Sequence, residues 1–265
     1  MSTKDKIIER ITSLTGCLHV ELVDRGNSAI KCALKLVQDF NLKLSLPDQG
    51  GWLSYEKIAK QMEIPVEKYK TSNGLIVKCE DVEARVVVEP TGYFAEQKSP
   101  HTIRKNSEVL VLDVSGSLGR PSVKQFNADI ILGSFGEGKA VDLGYGGFFA
   151  TSNYDDFSML QNEAEEFKFD KKRLEELWEK LQKIDERHSF IKKHCDKIKA
   201  DLKGFDIIYP EHDGLVVVVA FKTEKERDKI IQYCKENGYE TEICPRDIRV
   251  NIPAVSIEVK RLKHD

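Results

Sequence analysis

Two continuous apolar runs in the first half of the chain restrict the folds that it can adopt. They are ARVVVEP (84–90) and EVLVLDV (108–114), and a further predicted strand, ADIILGSF (128–135), follows them. A strand with one solvent-exposed face alternates apolar and polar residues, whereas a strand covered on both faces is mostly apolar. These runs therefore predict the central strands of a sheet that is packed between two layers.

Helical patterns alternate with the predicted strands. In AIKCALKLVQDF (29–40), the residues Ile30, Ala33, Leu34 and Val37 share one helical face. Further helices are predicted at 4–15 and 52–62, and further strands at 17–23, 42–47, 66–70 and 145–151. This alternation is typical of a three-layer α/β domain with a mostly parallel sheet. Ligands bind at the carboxyl ends of the strands in such sheets, so function is expected in the loops there.

The apolar pattern changes near residue 171, where leucine and isoleucine begin to recur at helical spacing as far as Leu202. One long helix is expected over this stretch. Shorter segments follow, which predict strands at 214–221, 239–244 and 246–252 and helices at 223–238 and 256–263. We therefore predict a large α/β domain at 1–165 and a smaller C-terminal α+β domain at 166–265, which includes the long helix.

Composition argues against several classes of function. The net charge of −3 creates no basic field that would attract nucleic acid or an anionic membrane. No apolar run approaches the ~20 residues that span a bilayer. The N-terminus has no signal-peptide core, so a cytoplasmic protein is expected. The six cysteines form no C-x-x-C pair and the six histidines no H-E-x-x-H motif, so no metal site is predicted.

Lys139 lies among six glycines in GSFGEGKAVDLGYGG (133–147). The segment matches most of G-x-x-x-x-G-K-[ST], the loop that holds phosphates in nucleotide hydrolases. Ala140 stands where that loop needs a hydroxyl for magnesium, and strand-like residues follow instead of a helix. The acidic strand end at Asp113 comes before the loop instead of after it. A nucleotide hydrolase is therefore the weaker interpretation.

A lysine amine can also form a Schiff base with the aldehyde of pyridoxal phosphate (PLP). Such a site needs a carboxylate for the pyridine nitrogen, an aromatic face for the ring and hydrogen-bond donors for the phosphate. The chain offers Asp113 at a strand end, Trp52 after two glycines, and Ser134 five residues before the lysine. The segment Gly26-Asn27-Ser28-Ala29 begins a helix, and helix N-termini bind anions.

The order of these motifs, GNSAI, QGGW, LDVSGSLG, SFGEGK and GYGGF, resembles the DegT-type aminotransferases. This family belongs to the PLP-dependent enzymes of fold type I and is best known for acting on nucleotide sugars. The resemblance covers roughly residues 1–151 and continues through LQKIDERHSFIKKHCDKI, which is similar to a long family helix. It implies a shortened PLP-dependent aminotransferase that acts, as a homodimer, on a small amine, an amino acid or an amino sugar.

The resemblance also implies a role for each matching position. Lys139 would carry the Schiff base and then move the proton at the substrate Cα. Asp113 would pair with the pyridinium nitrogen, and Trp52 would stack on the ring. The phosphate would be held by the remaining matches, which are Ser134 and the backbone of Asn27, Ser28 and Ala29.

Two further residues are candidates for the substrate side of the site. Tyr93 follows the strand 84–90 and is a candidate to face the cofactor. Arg249 lies in a predicted strand of the C-terminal domain. Members of the wider fold type place an arginine in a similar setting to bind a substrate carboxylate, a bidentate task that suits a guanidinium.

The chain departs from the family pattern at several places. Gly116 stands where the family has a glutamine, and Glu137 lies two residues before the lysine, where members usually carry neutral residues. The segment between GYGGF and the long helix, which helps to build the substrate pocket in the family, is nearly absent. A non-catalytic binding or regulatory relative of the same fold is therefore the competing hypothesis from another class.

Each candidate residue also has an ordinary structural interpretation. Asn27 and Ser28 suit a helix N-cap, which is compatible with phosphate binding. Without a cofactor, Lys139 and Arg249 would be ordinary surface residues, and Asp113 would belong to a turn at a strand end. Trp52 would lie in the core, and Tyr93 would lie on the surface or in the core.

Overall fold

The computed structural model describes residues 1–263, which contain two β-sheets. The larger sheet consists of β1 (His19–Val23), β2 (Leu44–Pro47), β3 (Val66–Tyr69), β4 (Val82–Val88), β5 (Ser107–Asp113), β6 (Ile130–Ser134) and β7 (Gly147–Thr151). The strands lie in the order β1-β7-β6-β5-β4-β2-β3. Neighbouring strands from β3 to β6 are parallel, whereas β7 is antiparallel to both β6 and β1. The predicted mostly parallel sheet is confirmed.

Helices cover both faces of this sheet. They are α1 (Thr3–Thr15), α2 (Gly26–Asp39), α3 (Ser54–Gln61), α4 (Pro100–Lys105), α5 (Tyr154–Ala164) and α6 (Leu174–Gln182). One core contains residues of α1, α4 and α6, and the opposite core contains residues of α2, α3 and α5. In β5, Leu110 and Leu112 belong to the first core and Val109 and Val111 to the second, which explains the continuous apolar run. The three-layer prediction is confirmed.

The prediction of one continuous helix after residue 171 is wrong. α6 ends at Gln182 and α7 (Ile184–Asp201) follows, while Lys183 between them has a ψ of 9°, far from a helical value. Ile184 packs in a core of the large sheet, whereas Ile191 packs in the core of the C-terminal sheet. The helix is interrupted at Lys183 because the two segments bury their apolar faces in different cores.

The second sheet lies in the C-terminal part of the chain and is antiparallel. It consists of β8 (Asp206–Ile207), β9 (Val217–Ala220), β10 (Thr241–Cys244) and β11 (Ala254–Ile257), in the order β10-β11-β9-β8. The helices α7 and α8 (Glu224–Glu236) contribute to the core of this sheet. The α+β character predicted for this part is therefore present.

Two sequence predictions within this part are wrong. The segment 246–252 is a turn and not a strand, closed by a hydrogen bond from the amide of Arg246 to the carbonyl of Val250 at 2.8 Å. The segment 256–263 is not an α-helix, because it begins in β11 and continues into a short 3-10 turn at Val259–Arg261. Ser256 and Ile257 pair with Val218 and Val217 of β9, and this pairing outweighs the predicted helix.

Candidate functional site

A cavity of about 290 Å³ lies at the carboxyl ends of the central strands. Asp113 is the last residue of β5 and Ser134 the last of β6, and since these strands are parallel neighbours, both residues reach the same edge. The cavity brings together the predicted site residues Asn27, Trp52, Tyr93, Asp113, Ser134 and Lys139. Three other predicted residues lie outside this lining, namely Ser28, Ala29 and Arg249.

Asp113 is buried at the wall of the cavity. One carboxylate oxygen accepts a hydrogen bond from the Tyr55 hydroxyl at 2.8 Å, and the other accepts one from the Ser115 amide at 3.0 Å. Burial, and after it the neighbouring charge of Asp113, raises the pKa of Tyr55 well above its ordinary value, so this phenol stays protonated and donates. Within residues 1–263 no lysine or arginine forms an ion pair with Asp113. The buried carboxylate therefore has hydrogen-bond donors but no lysine or arginine in ion-pair contact.

Lys139 reaches the same cavity from the loop that follows β6. Its Nζ donates a hydrogen bond to the Tyr93 hydroxyl at 2.7 Å. The same atom lies 4.7 Å from the centroid of the Tyr93 ring and 5.4 Å from that of the Trp52 ring. The lysine is half-buried and not a free surface residue. The Lys139 amine therefore lies against two aromatic rings at the cavity.

Trp52 lies on the open side of the cavity, just before α3. The Trp52 side chain is 43% exposed to solvent, so the interpretation as an ordinary core residue is wrong. The indole Nε1 donates to Oδ1 of Asn27 at 3.1 Å, which links the start of α3 to the first turn of α2. The indole thus presents a flat apolar surface next to the Lys139 amine.

The first turn of α2 meets the end of β6 at one corner of the cavity. A Cβ atom on Gly26 would lie 2.6 Å from Cβ of Ser134, so this close approach requires glycine. The N-cap residue Arg25 makes no side-chain hydrogen bond to the helix. The N-terminus of α2 is therefore uncapped beside the cavity, where its partial positive charge suits an anion.

The hydrogen-bond donors of Ser28 and Ala29 already have partners within the protein. Their amides both donate to the carbonyl of Arg25, at 3.1 and 3.3 Å. The Ser28 hydroxyl donates to Oδ1 of Asp24 at 2.6 Å, away from the cavity lining. At this corner the cavity is therefore faced by Asn27, together with the glycine before it and Ser134.

Arg249 lies behind Tyr93 and is buried, so its expected place on a strand surface is wrong. Its Nη2 donates to both carboxylate oxygens of Glu258, at 3.1 and 3.0 Å, and its Nη1 donates to the carbonyl of Ile248 at 2.9 Å. The Ser256 hydroxyl donates to the same carboxylate at 2.7 Å. The guanidinium is satisfied inside the protein, and a substrate-binding role for Arg249 stays a prediction.

Lys260 belongs to the same buried charge cluster. Its Nζ lies 3.6 Å from Glu258 and 5.1 Å from the centroid of the Tyr93 ring. Burial, followed by the charge of Arg249 and a smaller effect of Lys139, lowers the pKa of Lys260 to about 8 despite the opposing effect of Glu258. Burial alone would raise the pKa of Glu258, but the two cations hold it below its ordinary value. The carboxylate is thus ionised and shared by two cations.

Sequence reasoning missed three residues of this region. Tyr55 follows Trp52 by three residues in a predicted helix, and that spacing was a usable signal because it places both side chains on one side. Ser115 follows Asp113 by two residues in the same strand-end motif. Lys260 carried no usable signal, because its position depends on the pairing of β11 with β9.

The surroundings of Lys139 differ from those of a nucleotide-binding loop. The segment 140–146 that follows it is not helical and leads into β7. A nucleotide loop needs a helix N-terminus directly after its lysine, so that amide groups point at the phosphates. The geometry around Lys139 therefore agrees with the sequence analysis, in which a nucleotide hydrolase is the weaker interpretation.

Comparisons with known proteins identify the fold. Histidinol-phosphate aminotransferase from Clostridium acetobutylicum is similar with a TM-score of 0.73 and 14% identity, over 96% of this chain and 83% of that chain. L-threonine transaldolase from Pseudomonas fluorescens has a TM-score of 0.72 and 15% identity, over 98% and 67%. A protein described as a sugar aminotransferase from Streptococcus pneumoniae, in its PLP form, has a TM-score of 0.72 and 10% identity, over 98% and 86%. These matches confirm the predicted fold of the PLP-dependent enzymes of fold type I.

Other comparisons add no family assignment. No protein-family profile matches the sequence, and no curated protein matches it. Across residues 1–263, no helix is both long enough and apolar enough to cross a membrane. In the same range, no three or more His, Cys, Asp or Glu side chains are grouped so that they could hold a metal ion.

Proposed function

We propose that this protein is a PLP-dependent enzyme of the aminotransferase type that acts on a small amine, an amino acid or an amino sugar. One observation carries the proposal: a lysine amine and a buried carboxylate that forms no ion pair within residues 1–263 share a cavity at the carboxyl edge of the sheet. Solved structures of this fold include aminotransferases. The order of the sequence motifs supports a place near the DegT-type members.

The residues around the cavity fit PLP in charge and shape. Asp113 would face the pyridinium nitrogen, because a buried carboxylate without a cation gains most from a protonated ring. Trp52 would offer its flat face to the ring. The uncapped N-terminus of α2 at Gly26 and Asn27, together with Ser134, would take the phosphate.

Lys139 is the residue that would act on the reacting atoms. When bound, PLP supplies an aldehyde and an electron-withdrawing ring for chemistry at the Cα of an amine. The Nζ of Lys139 would hold that aldehyde covalently and, once released, would move the proton at the substrate Cα. Its contact with the Tyr93 hydroxyl keeps the amine at the cavity.

Asp113 would contribute a fixed negative charge. Tyr55 and Ser115 each bond one carboxylate oxygen, so the group is oriented before any ligand arrives. Neither donor neutralises it, because Tyr55 stays a neutral phenol. The carboxylate would therefore keep the ring nitrogen protonated, which is the condition for withdrawing electrons from Cα.

We further propose that two copies of the chain form the working unit. Trp52, which lines the cavity, is 43% exposed, and the next residue, Leu53, is 60% exposed. A second copy packed on this side would cover both side chains and close the cavity on its open side. The proposal also includes a cytoplasmic location and a division into domains near residue 165.

A non-catalytic binding or regulatory relative is the second candidate function. It is favoured by the contacts of Arg249, because its guanidinium is paired with Glu258 and does not line the cavity. Such a protein would keep the fold and bind a ligand without turnover.

Addition of PLP to the purified protein tests these possibilities. The proposed function predicts a visible absorption band that saturates near one PLP per chain and shifts when an amine is added. A protein that stays colourless and binds no PLP would favour the non-catalytic relative. Magnesium-dependent turnover of ATP would favour a nucleotide hydrolase instead.

A further inference from the structure

Tyr93 has a backbone conformation that a tyrosine seldom adopts. Its φ is +70°, in the left-handed region that favours glycine. Its carbonyl accepts hydrogen bonds from the amides of Leu215 at 2.6 Å and Val216 at 3.1 Å. Unfavourable backbone conformations persist where the surrounding structure holds them, and they cluster at functional sites. The C-terminal part of the chain thus holds Tyr93 in an unfavourable conformation.

The ring of Tyr93 fills the space beside Gly116. A Cβ atom on Gly116 would lie 2.5 Å from Cδ1 and 2.7 Å from Cε1 of the tyrosine. No side chain fits there unless the ring moves. Gly116 is also the position at which the resemblance expects a glutamine. The tyrosine ring therefore occupies the place that a side chain at position 116 would take.

The hydroxyl of Tyr93 is directed at Lys139 and accepts a hydrogen bond from its Nζ at 2.7 Å. On the side of the C-terminal sheet, the Tyr93 ring meets Arg249, at 5.5 Å from its Cζ, and Lys260, at 5.1 Å from its Nζ. These cations are anchored in turn by Glu258. The ring is therefore a connection between the C-terminal charge cluster and the amine in the cavity.

We propose that Tyr93 is a positioning residue, which holds the Lys139 amine at the cavity and makes that position depend on the C-terminal sheet. Gly116 is required because it leaves room for the ring. The inference rests on the proposed function in one respect only, which is that the Lys139 amine binds PLP. The hydrogen bond and the packing are properties of the chain without cofactor.

Chemical labelling of the cofactor-free protein tests the inference. The full-length chain is acetylated with a low concentration of acetic anhydride, and the rate at Lys139 is measured by peptide mass spectrometry against the exposed Lys203. In Tyr93→Phe the ammonium loses its acceptor while the ring remains. The Lys139 rate should rise about fivefold, as expected for one lost hydrogen bond. The rate at Lys260, which contacts the Tyr93 ring but not its hydroxyl, should not rise, whereas a loss of packing would raise it as well.

Two further variants complete the experiment. Gly116→Ala should displace the ring and raise the Lys139 rate as well. Tyr209→Phe is the matched control, because Tyr209 also has a positive φ of +53° and donates its hydroxyl to the Ser72 carbonyl at 2.5 Å. It should leave Lys139 unchanged. Wild-type labelling in both Tyr93→Phe and Gly116→Ala would overturn the inference. The proposed function would fail separately, through the absence of PLP binding.

Discussion

At the scale of single residues, Asp113 shows how environment can define a role. Its carboxylate is buried and has two donors, and within residues 1–263 it forms no ion pair. An isolated buried charge is costly, so proteins usually pair it or protonate it. The proposed function explains the missing partner, because the protonated ring of the cofactor would supply the positive charge.

Asp113→Asn tests this explanation. The amide keeps the size of the side chain but removes the charge, so turnover per bound PLP should fall by about 100-fold or more. Turnover is measured with an amine donor and a 2-oxo acid at saturating PLP. Asp129→Asn is the control, because Asp129 accepts a hydrogen bond from the Leu110 amide at the opposite end of the sheet. Equal turnover in Asp113→Asn and wild type would contradict the role of the charge.

Glu89 yields a prediction about pH and stability. It is fully buried, and one oxygen accepts from the Gln97 amide at 3.0 Å while the other has no hydrogen-bond partner among residues 1–263. Burial raises the pKa of Glu89 from 4.5 to about 8. The folded state therefore favours the protonated form, and this contribution to stability is lost as the pH rises from 4.5 through about 8.

The variant Glu89→Gln mimics the protonated acid at every pH. Relative to wild type, its free energy of unfolding should be similar near pH 4.5 and higher at pH 9 by on the order of 2–4 kcal/mol. Urea denaturation across this pH range measures the difference, with the exposed Glu108→Gln as control. A difference between Glu89→Gln and wild type that does not change with pH would show that Glu89 ionises normally.

At the scale of elements, the junction of α2 with β6 is the place proposed for the phosphate. Gly26→Ala would place a Cβ 2.6 Å from Cβ of Ser134 and push the helix N-terminus away. The Kd for PLP should rise about tenfold or more, since amide groups bind an anion only at short range. Gly204→Ala is the control, because nothing lies within 4 Å of its added Cβ. Unchanged PLP affinity in Gly26→Ala, measured by absorbance titration, would place the phosphate elsewhere.

Much of the site could be predicted at this scale, because it depends on local patterns. Asp113 and Ser134 end apolar strands, and Gly26 and Asn27 begin an amphipathic helix. Parallel neighbours then bring these ends together without further information. The contacts made by Lys260 could not be predicted in this way, because they depend on tertiary packing. The same is true of β11, whose strand conformation comes from its partners and not from its own pattern.

At the scale of the whole molecule, the ion pair Arg249–Glu258 lies buried in the C-terminal part behind the site. Both side chains are almost fully buried, at 3% and 0% exposure. Arg249→Met leaves Glu258 with the more distant Lys260 and should destabilise the protein by about 3–5 kcal/mol. The double variant with Glu258→Gln should recover part of this loss. An Arg249→Met protein of wild-type stability but with weakened binding of acidic substrates would instead assign Arg249 to the substrate.

The central claim concerns the covalent use of one amine, and borohydride reduction of the PLP complex tests it most directly. The reduced protein is digested and the modified peptide is identified by mass spectrometry. The account predicts a pyridoxyl adduct on Lys139, which is lost in Lys139→Ala and retained in Lys260→Ala, the other lysine in contact with Tyr93. An adduct on Lys260, or no adduct on any lysine, would contradict the account.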